Sequence, residues 1–64
     1  MSYRMWIARD KYGLWLFHEK PYYDKFLEEW VTQNAGSYGM LPTEDYPDVT
    51  IENSPIEIEL KLKQ

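Results

Sequence analysis

Apolar and polar positions alternate from the start of the chain. In Tyr-Arg-Met-Trp-Ile-Ala-Arg, residues 3–9, the residues Tyr3, Met5 and Ile7 share one face and Arg4, Trp6 and Ala8 the other. A period of two among β-branched and aromatic residues predicts a strand. Asp10-Lys11-Tyr12-Gly13 follows, a turn-initiating carboxylate and then a glycine where a type I turn with a bulge requires positive φ, so a hairpin is expected. The second run sets Leu14, Leu16 and His18 against Trp15 and Phe17. Large apolar groups on both of its faces predict a central strand. Pro21 ends it, because proline has no ladder donor and holds Lys20 extended.

Residues 22–33 carry two patterns at once. Tyr22, Tyr23, Phe26, Leu27, Trp30 and Val31 recur at helical spacing opposite Asp24, Lys25, Glu28, Glu29 and Thr32, with Pro21 placed for a first turn and Gly36 beyond the end. The competing reading is a loop to about Lys25 and a strand over 27–32, which the β-formers Trp30, Val31 and Thr32 permit. Asn34 to Ser37 reads as a turn and 38–41 as a short strand stopped by Pro42. Thr43 as cap and two acids after it predict one helical turn over 43–46, closed by Pro47. Val49-Thr50-Ile51 is extended in character, and Asn53-Ser54-Pro55 breaks the chain again. Over 56–62 the alternation is faultless: Ile56, Ile58, Leu60 and Leu62 against Glu57, Glu59, Lys61 and Lys63, an antiparallel strand with one dry and one wet face. No repeat or linker divides the chain, so residues 1–64 are read as a single domain.

Several landmarks form an ordered set: Trp6-Ile7-Ala8-Arg9-Asp10, Gly13-Leu14, Lys20-Pro21, Trp30, Leu41-Pro42, Tyr46-Pro47-Asp48-Val49-Thr50, Glu52-Asn53-Ser54-Pro55 and the closing Glu-Ile-Glu-Leu-Lys-Leu. This pattern resembles a group of short uncharacterised proteins from gut bacteria and their phages, over nearly the whole chain. The resemblance implies no activity and no site residue. It implies only that Trp30 lies in a strand, since the segment between Lys-Pro and Trp in that group often contains glycine and lacks helical periodicity. The fold expected is therefore mainly β, a small single antiparallel sheet of four or five strands (about 3–9, 14–18, 27–32, 38–41 and 56–62) with a short helical turn near 43–46. The alternative is α+β with a helix at 22–33.

Composition narrows the chemistry. The chain has no cysteine, so neither a disulfide framework nor a thiolate metal site nor a thiol nucleophile is available. Its 64 residues enclose only a small core, yet 17% of them are aromatic, more ring surface than such a core encloses. Some rings are expected at the surface, either as ordinary partly exposed tyrosines or as a contact patch. A formal charge of −4 disfavours bulk binding of phosphate backbones, although Arg4, Arg9, Lys11 and Lys20 make the first twenty residues locally basic. No apolar run approaches the ~20 residues of a bilayer span, and Met1-Ser2-Tyr3-Arg4 does not open a signal peptide. The chain is read as soluble and cytoplasmic, with no membrane partner.

Candidate chemistry is sparse. His18 beside Glu19 could pair a base with its orienter, but no second histidine, phosphate loop or nucleophile elbow accompanies it. Glu44, Asp45 and Asp48 could offer oxygen ligands but lack the spacing of a calcium loop, and capping and solvation explain them. Glu28-Glu29 and Glu57 with Glu59 read as solvated faces rather than catalytic pairs. No enzymatic activity, metal or cofactor is expected. Protein binding fits most features, with Trp6 and Trp15 either as anchors, Tyr12 and Tyr23 beside them, or simply as core. The partner is another protein or a second copy joined along an edge strand, for which the alternation of Glu59 and Lys61 is suited, while Lys61 and Lys63 could equally protect that edge from pairing. The alternative is a single-stranded nucleic-acid binder using the basic, aromatic N-terminal hairpin.

Overall fold

The computed structural model describes residues 2–33 and 37–61. Six strands occur among them: β1 (Ser2–Asp10), β2 (Gly13–Phe17), β3 (Tyr22–Asp24), β4 (Glu29–Val31), β5 (Ser37–Leu41) and β6 (Ile56–Lys61). No helix occurs among the described residues. The main sheet is antiparallel in the order β5-β2-β1-β6, and β3 and β4 form a separate two-stranded sheet. The mainly β fold read from the sequence is thus the fold observed, with β2 in the interior of its sheet as its two apolar faces require. Asp10 faces Gly13 across the first turn, where Gly13 takes a φ of 150° that a side chain would strain.

Register assigns the two faces. Ile7 is opposite Leu16 on β2 and Ile56 on β6, Met5 is opposite Ile58, and Leu14 is opposite Leu41, so these side chains share one face with Arg9. Ile7 and Leu14 are buried there with Val49, which the segment 42–55 brings onto the sheet, and Leu16, Leu41, Ile56 and Ile58 pack around them. Trp6, Ala8 and Asp10 occupy the other face with Trp15 and Phe17. Ala8 and Phe17 are fully buried. Each face therefore carries a thin core, as expected of so short a chain.

The structure departs from the sequence reading in two places, the number of sheets and the segment 43–46. Of the two readings of 22–33, the helical alternative does not form. The helical path is confined to a single turn: Asp24 caps that turn, its Oδ1 accepting the amides of Phe26 (2.9 Å) and Leu27 (3.0 Å) and its carbonyl the amide of Glu28 (2.7 Å), and Glu28 then reverses the chain at a φ of 58°. A left-handed residue after one turn ends the helical path at once. The result is a tight hairpin in which the strand expected over 27–32 shrinks to Glu29–Val31, and its partner is Tyr22–Asp24, a segment read as loop. This hairpin is a second sheet, so six strands in two sheets replace a single sheet of four or five. The segment 43–46 is a turn and not a helical one. Asp45 donates to the Pro42 carbonyl (3.0 Å), but Tyr46 has a φ of 51°, and the carbonyls of Thr43, Asp45 and Tyr46 are taken by Arg9 instead of by a following helical turn. Of the expected strand 56–62, Leu62 lies outside the described residues.

Candidate interaction surface

Two consecutive residues of β1 position everything attached to the main sheet. Arg9 emerges on the face covered by segment 42–55 and commits four of its five N–H groups to carbonyls there. Nε donates to Val49 (2.6 Å), Nη1 to Thr43 (3.0 Å), and Nη2 to Asp45 (3.0 Å) and Tyr46 (3.2 Å). The same segment ties itself together through Thr50 and Asn53. The Thr50 amide donates to Asn53 Oδ1 (2.7 Å) and the Asn53 amide to Thr50 Oγ1 (3.2 Å), a reciprocal pair of side-chain caps.

Asp10 works on the other face. It is buried, and its Oδ1 accepts the amides of Tyr12 (2.8 Å) and Gly13 (3.1 Å) and the indole of Trp15 (3.0 Å). Its Oδ2 accepts the Trp30 amide (3.2 Å), which docks β4 onto the end of β1. A buried carboxylate is costly unless its lone pairs are filled, and four donors fill them here. The backbone of Arg9 completes the junction. Beyond the start of β6, its amide donates to Ser54 Oγ (2.9 Å) and its carbonyl accepts the Trp30 indole (2.9 Å), so side chains replace the ladder where the Ser54 amide turns back to the Thr50 carbonyl (3.1 Å).

The docked hairpin carries the most exposed apolar surface. Tyr23 and Trp30 stack edge to face across its strands, with centroids 5.2 Å apart, while Tyr22 is exposed. At its tip Phe26 is 92% exposed and Leu27 46%. The tip is nevertheless held, by the Asp24 bonds and by Lys11, whose Nζ lies 2.7 Å from Glu28 Oε2 and 5.2 Å from the ring centroid of Tyr12. That contact sets the first turn, with Tyr12 54% exposed, beside the tip of the second. The hydrogen bond to Glu28 holds the Lys11 ammonium above its ordinary pKa of 10.5.

The four residues singled out from the sequence fall in different settings. Tyr12 and Tyr23 are exposed beside the hairpin. Trp15 is half-buried with its indole N–H given to Asp10, and Trp6 is half-buried with Lys20 Nζ 5.6 Å from its ring centroid. Phe26 and Leu27 were missed, because their spacing reads as the buried stripe of a helix. Asp24, two and three residues ahead of them, was the available signal for a turn that would leave them outside. His18 has an exposed side chain in the bend after β2, and Glu44, Asp45 and Asp48 are exposed along segment 42–55. Among the described residues no group of three or more acidic or histidine side chains could hold a metal ion.

No family model, curated protein or solved structure matches the chain.

Proposed function

We propose that the protein is a small non-enzymatic interaction module that presents the tip of its second hairpin to another protein. The observation that carries this reading is Phe26, an almost fully exposed ring on a turn fixed by a carboxylate cap and an ion pair. Anchors that are rigid before contact lose little entropy on binding, and buried aromatic residues dominate protein interfaces. Tyr12, Leu27 and Tyr23 extend the apolar area around it, so the patch uses two of the tyrosines expected from the sequence and adds the tip residues.

The nucleic-acid alternative needs free cations in the N-terminal hairpin. Arg4 lies 3.7 Å from Glu57, Arg9 is spent on carbonyls, Lys11 on Glu28, and Lys20 stands over Trp6. Each contact competes with a phosphate and favours the protein partner.

Incorporating a photo-crosslinking benzophenone at position 26, and at the exposed Glu52 as control, tests the reading in a lysate of the source cells. The expected result is a discrete crosslinked protein from position 26 that survives nuclease and is missing from position 52. Crosslinks that vanish with nuclease, or that are the same from both positions, would overturn it.

A further inference from the structure

The Leu60 end of β6 lies opposite Tyr3, at the far end of β1 from the hairpin, and among the described residues no strand pairs with the outer side of β6. Its backbone direction follows from Arg9. The Arg9 amide and carbonyl point to the β6 side, and backbone groups alternate along an antiparallel strand, so Ile7, Met5 and Tyr3 point the same way. Their partners Ile56, Ile58 and Leu60 therefore bond inward. Glu57, Glu59 and Lys61 turn their N–H and C=O groups outward, as a template for another strand.

We infer that this edge pairs with the β6 edge of a second copy of the chain, antiparallel and centred on Leu60. Charge selects both the partner and the register. The sequence is a charge palindrome about Leu60, with Glu57 and Glu59 before it and Lys61 and Lys63 after it. Centring on Leu60 sets Glu59 opposite the second copy's Lys61 and the reverse, each an outward-bonding pair, with the two Leu60 residues opposite each other at the axis. Centring on Glu59 keeps Glu57 opposite Lys61 but sets the two Glu59 residues against each other at the axis, and centring on Ile58 would oppose Glu57 to Glu59. A parallel in-register pairing would oppose like charges throughout. Directly opposed like charges destabilise a ladder and opposite ones support it. A two-fold axis through Leu60 closes the assembly at two copies and joins two four-stranded sheets into one of eight.

Light scattering on a sizing column tests this with charge-reversed chains, each first checked for native circular dichroism. Wild type is expected at twice the 7.8 kDa of one chain. K61E and E59K alone each oppose like charges twice and are expected at the mass of a single chain. Mixed in equal amounts they restore both opposite pairs and return to the double mass. In the register with β1, Lys61 lies opposite Ser2, an uncharged side chain. K61P, which removes only an outward donor, gives a second disruption independent of charge and is also expected at the single mass. A single-chain mass for wild type, an undiminished mass for K61E or K61P, or a mixture that stays at the single mass would each overturn the inference. None of these outcomes bears on the hairpin tip.

Discussion

Replacing Arg9 by lysine keeps the charge and removes the fork, which isolates the role of the guanidinium in holding segment 42–55. An ammonium is a single point with three donors and can meet one or two of the four carbonyls that Arg9 now engages. Two or three hydrogen bonds are lost. At ~1 kcal/mol each, the low end because much of the fork is solvent-exposed, the variant should lose about 2 to 3 kcal/mol. For a chain of this length total stability is on the order of 3 to 10 kcal/mol, so the loss is a large share of it. It corresponds to a fall in Tm of roughly 10 to 20 °C. Urea titration followed by tryptophan fluorescence and circular dichroism measures it, and the m value should stay constant. Amide exchange at Asp45 and Val49, which donate within the segment, should accelerate. A loss below ~0.5 kcal/mol with those amides still protected would refute the claim that the fork organises the segment.

Three further outcomes follow from the geometry. Asp10→Asn turns an NH2 towards the Trp30 amide or gives up the triple acceptance at Oδ1, and should cost ~1 to 3 kcal/mol by urea titration. Phe26→Ser should leave stability within ~0.5 kcal/mol of wild type, whereas Phe17→Ala, at a residue only 2% exposed, should cost ~3 to 5 kcal/mol. The Lys11 ammonium, followed by NMR, should titrate above 10.5 and move down in Glu28→Gln. A raised folded-state pKa means the Lys11 contact stabilises fully below the unfolded value and is lost as pH rises through the folded one, so the fall in stability above about pH 10.5 should be smaller in the variant than in wild type.

The main sheet was legible because its strands obey a rule with period two. Ile56 to Lys61 and Tyr3 to Arg9 each divide cleanly into faces, and the Asp-Lys-Tyr-Gly turn fixes how the first two strands meet. The hairpin at 22–31 was obscured because Tyr23 and Trp30 stack across strands while Phe26 and Leu27 stand outside the core, and together they imitate a helical stripe. What decides between the two is Glu28, which reverses the chain at a φ of 58° after the one turn that Asp24 caps, a local effect that periodicity does not weigh. The candidate site shared that ambiguity. Tyr12 and Tyr23 were legible as spare aromatic surface, but Trp15 could be placed only once Asp10 was seen to take its indole N–H. The role of Arg9 depends on carbonyls 34 to 40 residues away, which no local pattern encodes.

The Arg9 peptide joins both attachments: its amide holds Ser54 at the end of segment 42–55, and its carbonyl holds Trp30 of the hairpin. A break at this one backbone unit is therefore shared. If the loop lifts from its face, β1 loses its local restraint and the hairpin loosens with it, although the two never meet on the same side of the sheet. They form one cooperative exchange unit rather than two independent flaps, and amides in both should report a common opening free energy below that of the β1–β2 ladder.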